Sequence, residues 1–442
     1  MKATVIGLGK LGSPMAACLA ARGLQVIGVD ADPRKVEAIN QGKPPVLEPG
    51  LAEMLAQSQG RLTAVSGIEE AVRDSEASFI VVATPSEPAG GFSLRYVEPV
   101  CQAIGRALAK RKDYHLVTLT STVMPGATGN QLRAILEKAS GKRCGADFGL
   151  CYSPEFIALG SVIRDFLNPD MVLIGESDSR AGDLLESIYR QVCENKPAAA
   201  RMSFVNAEIT KLAVNSYITT KISFANMLAR ISERSPGANV DVITAALGLD
   251  SRIGPKYLKG AVSYGGPCFP RDNLAMGELA RRLGVSEELP RTVDRFNRSQ
   301  IAWLTEQVSA RSGGRIAILG LSYKPGTDVV EEAAGFLLAE ALAKRGLPVS
   351  AYDPGYVAGS SAGSEGGLPA GVTRARSAEA CIDDADLVVL ATPWPEFARM
   401  PAERWARPTS PRIVIDCWRV LGSLRDVPGI AYLALGLGEG FA

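Results

Sequence analysis

Histidine is nearly absent from this chain of 442 residues: His115 is the only one. A single imidazole excludes a multi-histidine metal site. Its place between a basic segment and the apolar Leu116-Val117-Thr118-Leu119 argues for a strand-entry residue, not a Ser-His-Asp relay. The chain also lacks any run of 18 or more uncharged apolar residues, the length a membrane-spanning helix needs. Neither sign of charge is in excess, with 48 Lys and Arg against 47 Asp and Glu. That balance argues against a nucleic-acid surface and leaves room only for a local anion pocket. The eight cysteines include no C-x-x-C pair. They read as reduced thiols of a cytoplasmic protein with no metal site. Met1-Lys2 and the apolar stretch up to Ala21 imitate a signal peptide, but Lys10 and three glycines interrupt it.

What is present is the composition of a globular protein with two to four domains, 46% hydrophobic and 21% charged. Ala3–Ile6 has a buried-strand pattern and runs into Gly7-Leu8-Gly9-Lys10-Leu11-Gly12. A helix is expected from Met15 to Arg22, then a strand from Gln25 to Val29 ending at Asp30. Strand, glycine turn, helix, strand and acid in this order are the dinucleotide-binding fingerprint. Gly7 permits the tight turn, Gly9 admits a pyrophosphate, and Gly12 permits close helix–strand packing. Asp30 accepts from a ribose 2′-hydroxyl and repels a 2′-phosphate, which favours NAD over NADP.

Further strands are expected at Phe79–Ala83, Leu116–Leu119, Gly149–Tyr152 and Met171–Ile174. Their turns, Thr84-Pro85, Ser121-Thr122 and Ser153-Pro154-Glu155, should line the cleft with the glycine loop. From Ala207 to about Arg234 the pattern is one long helix that carries Lys211 and Asn215 on one face. Residues 200–310 read as all-α. Arg315–Ser322 then echoes the opening strand and turn, and Ala385–Pro393 echoes Ala77–Pro85. The offsets nearly agree, 313 residues from Gly7 to Gly320 and 308 from Thr84 to Thr392. Without a complete glycine fingerprint, the second copy should hold something other than a dinucleotide. Gly355–Gly371 reads as a surface loop.

The stretch Gly265-Gly266-Pro267-Cys268-Phe269-Pro270-Arg271-Asp272 carries the chemistry. Gly265 and Gly266 let the backbone approach a ligand closely, and Pro270 suits a first helical position. A helix N-terminus and Arg271 both favour the thiolate of Cys268, and Asp272 stands one turn on, near the sulfur. On residues alone, the stretch reads rather as a turn with a buried structural cysteine.

Taken in order, these motifs resemble the UDP-glucose/GDP-mannose dehydrogenase family of NAD-dependent nucleotide-sugar 6-dehydrogenases. The resemblance runs from the glycine loop through Ser121-Thr122-Val123, Pro154-Glu155-Phe156, Lys211-x-x-x-Asn215 and Arg252-Ile253-Gly254. It continues through the Cys268 stretch and Gly320-Leu321-x-Tyr323-Lys324 to Asp416-x-x-Arg419. It implies two Rossmann-like doubly wound α/β domains, residues 1–200 and 311–442, joined by a helical central domain over residues 201–310 with a long connecting helix. It implies a four-electron oxidation of a sugar CH₂OH to a carboxylate with NAD, through a thiohemiacetal and thioester on Cys268. Lys211 and Asn215 would stabilise negative charge on oxygen. Asp272 and Thr122 would position a water or proton acceptor, and Glu155 would assist thioester hydrolysis. Gly7, Gly9, Leu11, Gly12, Asp30, Thr84 and Thr122 would bind NAD. Glu155, Phe156, Lys211, Asn215, Lys259, Gly265, Lys324 and Arg419 would bind the nucleotide sugar. Arg252 would reach a neighbouring subunit's site, which implies at least a homodimer.

The chain departs from the family in three places. Ile157-Ala158-Leu159-Gly160 lacks an arginine and a glutamate that relatives often carry. Glu331 stands where relatives have an arginine, and Asp416-Cys417-Trp418-Arg419 is an unusual ending. A two-electron β-hydroxyacid dehydrogenase needs neither Cys268 nor residues 315–442. A non-catalytic NAD- or sugar-nucleotide-binding protein needs no cysteine–lysine–asparagine–aspartate set.

Overall fold

Short β-branched runs closed by glycine turns become the strands of two parallel sheets. A computed structural model describes residues 1–58, 60–356, 367–407 and 410–438. The expected loop over 355–371 lies mostly outside the described residues. The chain divides into two units, Met1–Ala213 and Val214–Ala442.

The first unit holds β1 (Lys2–Ile6), β2 (Gln25–Val29), β3 (Leu62–Val65), β4 (Ala77–Ile80), β5 (Leu116–Leu119), β6 (Gly149–Tyr152), β7 (Met171–Glu176) and β8 (Ala198–Met202). Their order is β3-β2-β1-β4-β5-β6-β7-β8. All pairs are parallel except β6–β7. Both faces are buried, so consecutive residues feed different cores. Val5 and Phe79 pack with Leu8, Met15 and Leu19 on one side, while Ile6 and Ile80 pack with Ile104, Leu119 and Phe148 on the other.

The second unit holds β9 (Ile316–Leu319), β10 (Val349–Tyr352), β11 (Val372–Arg374), β12 (Leu387–Leu390), β13 (Arg412–Asp416) and β14 (Ile430–Ala434). Their order, β11-β10-β9-β12-β13-β14, repeats that of the first six strands, and every pair is parallel. The duplication expected from the two echoed segments is therefore topological. The counterpart of Gly12 is Gly335, which faces the carbonyl of Gly320 as Gly12 faces that of Gly7. It stands 15 residues after its turn glycine instead of five, so no fingerprint spacing survives.

The helices Val240–Leu249, Phe269–Arg282 and Glu288–Arg311 belong to the second unit, and the 30-residue helix Phe204–Glu233 runs unbroken across the boundary. A strap fastens the second sheet to these helices. Val240 N–H donates to Gly436 O at 2.9 Å, and Gly438 N–H donates to Ala238 O at 2.9 Å.

Several expected boundaries move. The first sheet runs to Met202, so a domain edge at residue 200 falls inside β8. The expected strand at Phe79–Ala83 runs instead over Ala77–Ile80, with Val81 N–H making one more bond to β1 at Ile6 O, 2.8 Å. The first helix starts at Gly12, not Met15, because Gly12 itself packs on the turn. Among the described residues, no helix is long and apolar enough to cross a membrane.

Candidate active site

In the first unit, the turn after β1 lies where the strand order reverses, and ligands of such sheets bind there. Gly7 has φ of +102°, and a Cβ on it would lie 2.6 Å from the carbonyl oxygen of Val81. Only glycine takes that place. Nothing lies within 4 Å of a Cβ built on Gly9, so this edge of backbone is bare for a phosphate. Leu11 precedes the helix Gly12–Ala21, whose first turn carries no acidic residue to oppose an anion. Asp30 turns its carboxylate onto the glycine loop, accepting from Leu8 N–H at 2.7 Å and Asp32 N–H at 2.9 Å, with Lys35 Nζ at 3.3 Å. The bare loop, helix N-terminus and carboxylate fit NAD.

The neighbouring turns are coupled. Thr84 Oγ1 donates to the carbonyl of Thr122 at 2.7 Å. Glu208 accepts from the N–H groups of Gly126 (2.6 Å) and Thr128 (2.8 Å), tethering that segment to the long helix. Lys211 lies three residues further along. Its Nζ donates to the carbonyl of Glu155 at 2.6 Å and sits 4.6 Å above the Phe156 ring. This gathers Glu155, Phe156 and Lys211. Residue Glu155 is half-buried overall, with its carboxyl at the enclosed end. Burial pushes that carboxyl up to about 7, against the opposing pull of the Tyr189 hydrogen bond and the Lys211 charge.

In the second unit, Cys268 is exposed and all seven other cysteines are less so. Burial raises the thiol pKa of each of those seven. The reading of the Cys268 stretch as a turn with a buried cysteine is thereby excluded. Cys268 is the N-cap of the helix Phe269–Arg282, and its carbonyl accepts from Asp272 N–H at 2.8 Å. Pro270 is the second helical residue, not the first, where its missing N–H still costs nothing. Asp272 is buried. Its Oδ2 accepts from Asn215 Nδ2 at 2.6 Å, while Oδ1 has no hydrogen-bond partner and lies 3.6 Å from Arg271 Nε. An enclosed carboxylate oxygen with no donor suits an incoming proton or water. Ser216 Oγ to Asn273 Oδ1 (3.0 Å) and Asn273 Nδ2 to Pro290 O (2.8 Å) tie this helix to the long helix and to the helix Glu288–Arg311.

Other expected residues stand differently. Gly265 and Gly266 are buried, and what they approach closely is their own chain. Gly266 has φ of +84° and donates to Glu331 O at 2.9 Å, while a Cβ on Gly265 would strike the Glu332 carbonyl. Their small size serves this docking. Arg419 is occupied as well. It forks onto Asp241 (2.7 and 2.9 Å) and donates to the carbonyls of Leu435 and Gly260, leaving little for a phosphate. Lys324 is half-buried beside Tyr323, and Lys259 is exposed. Arg252 is exposed and forked onto Asp250. His115 is buried between Ser75 O and Ser78 Oγ, and burial pushes it down to about 3, so it is neutral. Sequence reasoning missed Glu208 and Tyr189. Glu208 had a findable signal, an acid three residues before Lys211; Tyr189 had none.

Three family models match in order: the NAD binding domain of the UDP-glucose/GDP-mannose dehydrogenase family over residues 1–193, its central domain over 205–299, and its UDP binding domain over 317–423. The chain is 35% identical to a UDP-glucose 6-dehydrogenase of Haloferax volcanii over 427 residues, 95% of this chain and 97% of that protein. It is 37% identical to a GDP-mannose 6-dehydrogenase of Pseudomonas putida over 359 residues, 80% of this chain and 81% of that protein. The solved UDP-glucose dehydrogenase of the hyperthermophilic archaeon Pyrobaculum islandicum superposes with a TM-score of 0.87 at 33% identity. That match covers 99% of this chain and 98% of the other.

Proposed function

The chain belongs to the UDP-glucose/GDP-mannose dehydrogenase family and is an NAD-dependent nucleotide-sugar 6-dehydrogenase, and we propose that it works through a covalent sugar–Cys268 intermediate. The substrate proposed is a UDP-glucose or UDP-N-acetylhexosamine. One observation carries the thiol's role. Cys268 is the one exposed cysteine among the eight, and it caps a helix one turn from the underbonded Asp272.

NAD, when bound by the glycine loop, Asp30, Thr84 and Thr122, supplies the electron acceptor that each oxidation needs. After the first oxidation the sugar carries an aldehyde. The Cys268 sulfur adds to it, and the thiohemiacetal keeps the aldehyde from escaping. The second oxidation leaves a thioester. Water attacks the thioester carbon, the sulfur leaves, and the carboxylate is released with the thiol restored. Lys211 and Asn215 donate to the substrate oxygen as charge builds on it. Asp272 and Thr122 hold the water or proton acceptor, and Glu155 takes a proton from the attacking water. Because that carboxyl titrates near 7, hydrolysis should slow as pH drops below neutral.

In this reading residues 1–202 bind cofactor, 203–310 form the helical centre, and 311–442 bind the sugar nucleotide, with Phe156, Lys259 and Lys324 as contacts. Tyr217, Phe224, Met227 and Ile231 form one exposed apolar stripe on the long helix, on the side away from Asn215. A second copy packing there gives a homodimer and places Arg252 within reach of the partner's site. Light scattering of Phe224→Glu should show monomers where the parent shows dimers; a monomeric parent would refute the dimer.

The reaction itself is tested by yield. With UDP-glucose, UDP-N-acetylhexosamines and GDP-mannose each supplied in limiting amount, the true substrate should release two NADH per sugar. A yield of one would mean a two-electron dehydrogenase.

A further inference from the structure

The helix Ser179–Val192 buries Ala181, Gly182, Leu185, Ile188, Tyr189 and Val192 against the first sheet. Every one of these side chains is apolar except for one hydroxyl, that of Tyr189. Phenylalanine would fill the same space, and the Tyr189 ring already packs as an aromatic, its centroid 6.3 Å from that of Phe166. Burying a phenolic O–H carries a penalty unless it is bonded, so the hydroxyl calls for an explanation beyond packing.

Its bonds supply one. The Tyr189 hydroxyl donates to Glu155 Oε1 at 2.9 Å and lies 3.1 Å from Ser153 Oγ. Ser153 is buried directly after β6, and its own N–H donates to Leu119 O at 2.8 Å. With the phenol giving its only proton to Glu155, Ser153 must be the donor in the other contact. The result is a directed relay, Ser153 to Tyr189 to Glu155, whose two ends lie on the segment after β6 and whose middle member is held by the helix.

We propose that Tyr189 is a positioning residue of the nucleotide-sugar oxidation: its hydroxyl, oriented by Ser153, holds the Glu155 carboxyl in one rotamer, aimed to take a proton from the hydrolytic water. The inference rests on the reading of Glu155 as that base. The bond engages Oε1, so Oε2 is the atom that exchanges the proton. Without the relay the carboxyl is free to rotate about its terminal torsion, which has broad wells.

The groups around Glu155 make the electrostatic sign clear. Burial raises the carboxyl pKa, and the Tyr189 bond and Lys211 lower it. Cys18, from the helix Gly12–Ala21, and Cys193, just past Tyr189, both sense Glu155. Their thiols are pushed up to about 12 and stay neutral at working pH. Among the described residues, the Tyr189 hydroxyl and the Lys211 charge are the groups that pull this carboxyl down. Removing the hydroxyl removes a hydrogen bond that favours the carboxylate, so the acid must ionise at higher pH.

The test is the pH profile of uronate formation by Tyr189→Phe in the full chain. A neutral donor to a charged acceptor is worth roughly one pKa unit. The acidic limb should therefore move up by about one unit, lowering kcat by about fivefold at pH 7. The loss should shrink as the pH rises, with KM for NAD unchanged. Ser153→Ala should shift the limb in the same direction by less, and it keeps the test decisive should Tyr189→Phe misfold. An unmoved limb in both variants, or a loss of equal size at every pH, overturns the proposal. Glu155→Gln separates the two layers. If that variant turns over like the parent, the reading of Glu155 is what fails; if it is slow while both relay variants keep the parent profile, only the relay fails.

Discussion

Cys268→Ser is expected to lower kcat for carboxylate formation by about 10⁴-fold or more, with NAD affinity unchanged within about twofold. Serine fits the same N-cap and keeps the fold, so the change isolates the sulfur. A hydroxyl ionises far above neutral pH and adds to an aldehyde less readily than a thiolate, and any oxygen ester that formed would resist hydrolysis more than a thioester does. Ten-thousandfold corresponds to about 5.4 kcal/mol of lost transition-state stabilisation, more than any single hydrogen bond at this site supplies. The NAD groups, Gly9 and Asp30 among them, lie in the first unit and do not depend on residue 268. Steady-state assays of the purified variant, with NAD titration by fluorescence, check both halves. Uronate production at the parent rate would remove the thiol from the mechanism.

The second large effect belongs to Glu155→Gln. An amide cannot take a proton from water, and loss of a general base typically slows a step by about 10²–10⁴-fold. The glutamine still accepts from Tyr189, and the backbone carbonyl bonded by Lys211 is untouched. The earlier steps should therefore proceed and the thioester should accumulate. A rapid first release of NADH followed by a slow steady state is the expected time course. A steady state that matches the parent's would assign the base elsewhere.

Much of this was legible in the sequence because it is local. Gly7, Gly9, Gly12 and Asp30 sit within one strand–helix–strand unit, where spacing alone fixes geometry, and the structure assembles them as read. The echo between Ala77–Pro85 and Ala385–Pro393 marked a repeat, and both sheets share one strand order. What escaped depends on contacts between distant segments. Gly265 and Gly266 announce a close approach, but nothing nearby says that the partner is the chain's own Glu331–Ala333 backbone. Arg419 finds Asp241 from 178 residues away, so a cation that reads as a phosphate ligand turns out to be a clamp. Gly335 was hidden by its long separation from Gly320. Tyr189 was hidden by its own helix, whose apolar periodicity makes a buried aromatic unremarkable.

The claim that everything else leans on is that a sulfur–sugar bond forms at residue 268. Its most direct test is peptide mass spectrometry of Glu155→Gln quenched during turnover with NAD and the nucleotide sugar that gave two NADH. The account predicts a sugar-nucleotide increment on the peptide containing Cys268, removed by hydroxylamine as a thioester must be. An unmodified Cys268 peptide throughout turnover, or the increment on any other residue, would contradict it.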